Sequence, residues 1–296
     1  MFKRISLSFF VAIVLAFYTY NSQAVTSYCV MDLKTGTVLD SKNLHKQIYP
    51  ASLTKMMVFY IVLKSLKEGR IALADVLYDF ETKYAKKGFI IDLSSSANHD
   101  RYSISIFEIL NALMTYSLNN AGWILAEEIY GKHGTFLNIM NNQAAQMNMT
   151  KTKLANLDGL FHASNVSTAY DMAILLKKIY DDFYEYLPIM NGYIFFKNGK
   201  SYEKASMIDR DMVGIVATKT GFISQSGQNI ATIFEKGNKK IGIVVIGANS
   251  DYIERNIYVG ELLAKNLSQS DIVWNMEQKK MNQGRNLLEF IKELTK

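Results

Sequence analysis

The sequence holds one cysteine, Cys29, two prolines, Pro50 and Pro188, and four histidines in 296 residues. A single thiol excludes an internal disulfide, so stability has to come from an apolar core. Two prolines exclude a Pro-rich linker dividing the chain. The histidines, His45, His99, His133 and His162, never fall at His-x-x-His or His-Glu-x-x-His spacing, so no zinc signature is present. A Gly-x-Ser-x-Gly elbow is also missing, which removes the usual mark of a Ser-His-Asp hydrolase. The positive residues are scattered, with no stripe of interleaved aromatics, and this excludes a nucleic-acid footprint despite a net charge of +6. No metal or cofactor is expected.

What remains is the composition of an ordinary folded protein, 49% hydrophobic and 20% charged. The first 24 residues read as an export leader. Lys3 and Arg4 form its basic end, Ile5 to Tyr18 its apolar stretch, and Ser22-Gln23-Ala24 a small-x-small cleavage site. Cleavage would leave about 270 residues, enough for one large domain or two lobes sharing a core. It would also place the mature chain outside the cytoplasm, in the periplasm or on the envelope exterior. Losing Lys3 and Arg4 lowers the net charge from +6 to +4, a mild basic bias that suits an anionic polymer. Ser27-Tyr28 directly before Cys29 disfavours a lipoprotein anchor, so Cys29 reads as a buried strand residue.

Strand patterns cluster toward both ends of the mature chain. Ser27 to Leu33 and Thr37 to Asp40 flank a Lys34-Thr35-Gly36 turn and predict a hairpin. Gly214 to Thr218, Gln228 to Glu235 and Ile241 to Ala248 predict three more strands. Between them the periodicity is helical. Ile106, Ile109, Leu110, Leu113 and Met114 share a face, behind a capping box of Ser105 and Glu108. Further helices are predicted over Ala121 to Tyr130, over Thr135 to Met149, and from Thr168, where Asp171 completes a second capping box. The fold class expected is therefore α/β (α+β): one antiparallel sheet built from both chain ends, with an all-helical lobe inserted. The domain spans 25–265. A tail over 266–296 carries Leu287, Phe290, Ile291 and Leu294 on one face of a short amphipathic helix, which either packs or touches a membrane surface.

A serine hydrolase needs a nucleophile, a base in hydrogen-bond reach and donors for an oxyanion. Pro50-Ala51-Ser52-Leu53-Thr54-Lys55 precedes a wholly apolar run, Met56 to Leu63, that reads as a buried helix. Ser52 and Lys55, three residues apart, would share one face of its first turn. There the free N–H groups and the positive end of the dipole favour a developing oxyanion, and burial can lower a lysine's pKa enough to make it a base. Such patterns also arise by chance. Ser-x-x-Lys recurs at Ser201 to Lys204, Ser-x-Asn occurs at both Ser96-Ala97-Asn98 and Ser117-Leu118-Asn119, and Lys-Thr-Gly at both Lys34 and Lys219. Context separates them. Ser117 lies in a joint between two predicted helices and Lys219-Thr220-Gly221 at a strand end, whereas Ser96 lies in a polar loop and Lys34 at a hairpin tip.

Ser-x-x-Lys, Ser-x-Asn and Lys-Thr-Gly in that order are the signature of penicillin-binding proteins and class A β-lactamases. With YPASLTKMM (Tyr49 to Met57), DLKTGTVL before it and NLDGLFHASNVSTAYDMAIL (Asn156 to Leu175) after it, residues 27–265 resemble the low-molecular-mass penicillin-binding proteins that are serine-type D-alanyl-D-alanine carboxypeptidases. The resemblance implies a β-lactamase/transpeptidase-like fold and removal of the terminal D-Ala from peptidoglycan stem peptides, with β-lactams as covalent inhibitors. It implies Ser52 as nucleophile, Lys55 as its base and Ser117 as proton relay to the leaving amine. Asn119 would hold the substrate amide, and Lys219 with Thr220 would receive the terminal carboxylate. Gly221 would admit the substrate strand, and the N–H groups of Ser52 and Phe222 would form the oxyanion hole. The chain departs from the family pattern at Leu118, which adds bulk expected beside the cleft, at Asn120, which replaces a carboxylate, at Val216-Ala217-Thr218, and at Phe222, where His or Tyr is common. A D,D-endopeptidase, a class A β-lactamase and a weakly catalytic muropeptide-binding module are the alternatives on the same scaffold.

Overall fold

The computed structural model describes residues 25–78, 103–192, 194–197, 200–203, 214–248 and 252–266. The leader, the C-terminal tail, and the decoy residues Ser96-Ala97-Asn98 and Lys204 lie outside the described residues.

Strands β1 (Val25–Asp32) and β2 (Val38–Lys42) form the expected hairpin, with Cys29 opposite Ser41. Its turn is closed by the Asp32 carboxylate, which accepts from the backbone N–H groups of Lys34 (2.8 Å) and Thr35 (3.1 Å). A 3-10 turn, Ala51–Thr54, then leads directly into α1 (Lys55–Lys67). Met56 to Leu63, which cover every face of α1, are all buried. A helix without a polar face can be stable only in the middle of a core.

The helical lobe follows. A short ribbon of β3 (Val76–Tyr78) and β4 (Ser103–Ser105) precedes α2 (Ile106–Asn111), whose Ser105–Glu108 capping box forms in both directions. One π-helical turn, Ala112–Tyr116, connects α2 to the Ser117 joint, after which come α3 (Asn119–Tyr130) and α4 (His133–Gln146). Helix α5 (Ala169–Asp182) is capped as expected on one side only. Thr168 Oγ1 accepts from the Asp171 N–H at 3.0 Å, but the Asp171 carboxylate turns to Lys151 N and Thr152 Oγ1. Those two donors lie on a neighbouring segment, so the carboxylate ties two elements together instead of completing a box. Helix α6 (Leu187–Met190) and the hairpin of β5 (Ile194–Lys197) and β6 (Lys200–Glu203) close the insertion. The decoy Ser201 falls in β6, within a strand and not at the start of a helix.

The chain returns to the sheet through β7 (Ile215–Ile223), β8 (Gly227–Lys236) and β9 (Lys239–Ala248), and ends its described part in α7 (Tyr252–Asn266). The strand order is β2-β1-β9-β8-β7, and every pair is antiparallel. Pairing of β1 with β9 places Cys29 opposite Val244 and joins the two ends of the domain, as the sequence led us to expect. One sheet face (Cys29, Met31, Ala231, Ile233, Val244, Ile246) packs on the helical lobe, and the other (Val30, Ile230, Phe234, Ile243, Val245) lies under Val259, Leu262 and Leu263 of α7. Strand β7 differs from expectation in length. It continues to Ile223, so Lys219-Thr220-Gly221 runs within an edge strand and does not end one.

Candidate active site

The site begins at the turn before α1. Ala51 takes a left-handed backbone (φ +52°), which lifts Ser52 onto the start of the helix. The turn is gripped from three sides. Asn229, buried in β8, donates from Nδ2 to the carbonyls of Tyr49 and Pro50 at 3.2 Å each. Gly159 (φ +78°) lies so close that a Cβ there would meet Ala51 O at 2.0 Å and Ser52 N at 2.8 Å. From β7, a Cβ on Gly221 would meet Ser52 N at 2.9 Å. Only glycine permits both approaches, and at Gly159 the positive φ demands it as well.

Lys55 is fully buried directly beneath Ser52. Its Nζ donates to Ser52 Oγ (2.8 Å), Asn119 Oδ1 (2.9 Å) and the Asp158 carbonyl (2.5 Å). Burial pulls its pKa down to about 7, opposed by the negative charge of Asp158. A neutral amine has two N–H groups and one lone pair. With the amide and carbonyl oxygens taking the N–H groups, the lone pair faces the Ser52 hydroxyl. This arrangement can take a proton from Ser52.

The second motif sits across from it. The π-turn ends at Ser117 in the left-handed region (φ 63°, ψ 34°), and Leu118 N closes back onto Ala112 O at 3.0 Å. This sharp exit turns the Ser117 hydroxyl toward β7, where the buried Lys219 Nζ donates to it at 2.8 Å and to Thr220 O at 2.9 Å. Since Lys219 donates, the hydroxyl of Ser117 keeps its own proton to give. Asn119 is the first residue of α3, within reach of Lys55. The structure thus gathers Ser52, Lys55, Ser117, Asn119, Lys219 and Gly221 into one cleft between the lobe and the edge strand. Thr220 is buried beside Lys219, and Phe222 extends its ring at the rim, 59% exposed.

Two expected departures fall elsewhere. Leu118 does not crowd the cleft: it is completely buried in the core, because the left-handed Ser117 directs the next side chain inward. Asn120 is buried too, with neither side-chain polar atom hydrogen-bonded among the described residues, so an aspartate there would be an uncompensated buried charge. Of the departures named, Phe222 is the one the structure exposes at the cleft rim.

Several contributors were not assigned roles from sequence. Asp158 supplies a main-chain acceptor to Lys55, and its buried carboxylate accepts from Trp123 Nε1 (3.0 Å) and Leu160 N (2.9 Å). Side-chain bonds shape its loop: Asn156 Oδ1 accepts from Gly159 N, and Asn165 spans from Ala155 N to Thr54 Oγ1. Arg255 of α7 is fully buried and reaches Gln228 Oε1 (3.3 Å) and Asn229 O (3.4 Å) of β8. The NLDG run and a buried asparagine amid the apolar residues of β8 were the available signals.

A family model described as D-alanyl-D-alanine carboxypeptidase matches residues 18–250. Among curated relatives, D-alanyl-D-alanine carboxypeptidase DacF of Bacillus subtilis is 27% identical over 241 residues, covering 80% of this chain and 60% of its own. D-alanyl-D-alanine carboxypeptidase DacA of Haemophilus influenzae is 30% identical over 223 residues, covering 75% of this chain and 56% of its own. The chain therefore spans less than two thirds of the length of these relatives. Among solved structures, penicillin binding protein 5 from Haemophilus influenzae superposes with a TM-score of 0.74 at 28% identity, covering 81% of this chain and 70% of that one.

Proposed function

The chain belongs to the D-alanyl-D-alanine carboxypeptidase family, and on that premise we propose that it removes the terminal D-Ala of peptidoglycan stem pentapeptides through an acyl-enzyme on Ser52. Lys55 takes the Ser52 proton as Oγ attacks the carbonyl of the penultimate D-Ala. The N–H groups of Ser52 and Phe222 receive the oxyanion, at a helix start where such charge is stabilised. Ser117, polarised by Lys219, gives its proton to the leaving amine, and the proton that Lys55 took from Ser52 replaces it, leaving Lys55 neutral again. Lys219 and Thr220 take the terminal carboxylate, Asn119 holds the substrate amide, and Gly221 lets the peptide lie along the β7 edge. Water then attacks the ester as Lys55 takes one of its protons; that proton passes to Ser52 Oγ as the ester C–O bond breaks, freeing the shortened peptide and Ser52. A β-lactam enters by the same attack, opening its ring onto Ser52 Oγ. The leader pattern of residues 1–24 supports action outside the cytoplasm, where this substrate lies, and the apolar stripe of the tail supports contact with the membrane surface.

One observation carries this reading: the fully buried Lys55 Nζ lies 2.8 Å from Ser52 Oγ, with its other bonds made to a neutral amide and a carbonyl. Release of D-Ala from a synthetic pentapeptide by the purified protein tests it. Release that disappears in Ser52→Ala is expected. Absence of release by the unaltered protein contradicts the proposal.

A further inference from the structure

Asn119 and Trp123 are four residues apart on α3 and share a face. Asn119 touches Lys55 directly, whereas the Trp123 indole N–H reaches the Asp158 carboxylate at 3.0 Å. Asp158 contributes to the site twice. Its carbonyl lies 2.5 Å from Lys55 Nζ, yet its carboxylate is turned to Trp123 on one oxygen and to the Leu160 N–H on the other. Among the described residues, the hydrogen-bond acceptors of Lys55 are a hydroxyl, an amide oxygen and a carbonyl, with no carboxylate. Asp158 is 5% exposed, so water does little to solvate its charge and the two N–H donors must do so.

We propose that Trp123 is a positioning residue for the general base: its indole N–H latches the Asp158 carboxylate away from Lys55 Nζ, leaving Lys55 able to lose its proton. The inference rests on the reading of Ser52 and Lys55 given above. Without the latch, a buried carboxylate loses one of its two donors, and the ammonium already bound to the same residue's carbonyl is the cation at hand. An ion pair there would hold Lys55 charged and silence it as a base. The charge acting on Lys55 is that carboxylate, from the loop after α4, while Lys219 of β7 is turned to Ser117 and to the Thr220 carbonyl. Asn119 of α3 and Ser52 of its own turn are neutral. The carboxylate charge already opposes burial in setting the proton affinity of Lys55.

The test is the second-order rate of labelling by a fluorescent penicillin, measured on the full chain from about pH 5 to about pH 10, where the protonation of the base controls the rate. Trp123→Phe keeps an aromatic ring and removes the N–H. Its acid limb should move up by at least about one pH unit, the effect of an opposite charge at close range, with a high-pH plateau near that of the unaltered protein. Asp158→Asn should move the limb down, and the double variant should match Asp158→Asn, since the latch has nothing to restrain once the charge is gone. A Trp123→Phe limb that coincides with the unaltered one overturns the latch. If Trp123→Phe shows no cooperative melting, Asp158→Asn decides, and an unmoved limb overturns the idea. An unaltered protein that takes no label overturns the acylation reading itself, a different failure from a labelled protein with an unmoved limb.

Discussion

An exposed lysine holds its proton to a pKa of about 10.4, and a lysine with that affinity is of no use as a base at neutral pH. Lys55 is brought to about 7 because burial removes the water that would stabilise its ammonium, while the groups bound to it are neutral acceptors. The direction of the pH dependence follows. Above about 7 the amine is neutral and can take the Ser52 proton; below it the ammonium cannot. Penicillin labelling should therefore rise with pH through about 7 and then level, falling about tenfold per unit on the acid side. Lys55→Arg should abolish labelling by at least about a thousandfold although charge is kept, since guanidinium does not deprotonate in a protein. Labelling of that variant near the unaltered rate would remove Lys55 from the role of base. Ser52 and Lys55 were legible from spacing and from the apolar run behind them. The Asp158 carbonyl was not, because a main-chain oxygen carries no residue signature. Leu118 was misread because a left-handed Ser117 reverses which neighbour faces the core, and nothing in a serine announces that backbone.

At the scale of the elements, the site is a set of close approaches between a turn, a loop and an edge strand. Ala51 and Ser117 both hold left-handed backbones without being glycine, and each such residue costs about 1–3 kcal/mol that its surroundings must offset. For Ala51 those surroundings are Asn229 and Gly159. Gly159→Ala would put a methyl 2.0 Å from Ala51 O, forcing the Ser52 turn or the Asp158 loop to move. A displacement near 1 Å costs about a hundredfold in a positioned reaction. Labelling should fall at least that much in Gly159→Ala, and an unchanged rate would show that the loop does not fix the turn. Helix existence, the Ser105–Glu108 box and the β1–β2 hairpin were readable from periodicity and turn residues. The half-formed cap at Thr168 was not, because the Asp171 carboxylate is recruited by a segment distant in sequence. The extent of β7 was likewise hidden, since a buried lysine and threonine in a strand look like the start of a loop until Lys219 is seen to donate to Ser117.

Over the whole molecule, the sheet divides the labour. Its inner face and the helical lobe hold the cleft, and its outer face is covered by α7, whose Val259, Leu262 and Leu263 are buried on Val30, Ile230 and their neighbours. The closure of β1 on β9 was readable from strands clustered at both chain ends. The cover of the outer face was not, because the apolar spacing in α7 is interrupted by Arg255, which only the fold shows to be buried. Leu263→Ala should cost about 2–5 kcal/mol and lower the melting temperature by roughly 5–15 °C, with the labelling rate of the folded protein unchanged. A loss of labelling in fully folded Leu263→Ala would mean that the outer layer reaches the cleft. The central claim, that Ser52 becomes the acylated group with Lys55 as its base, is tested most directly by mass spectrometry of the penicillin-treated protein after proteolysis. The expected result is one adduct of the penicillin's mass on the peptide containing Ser52, absent in Ser52→Ala. An adduct elsewhere, on Ser117 or Ser201, or no adduct at all, would contradict it.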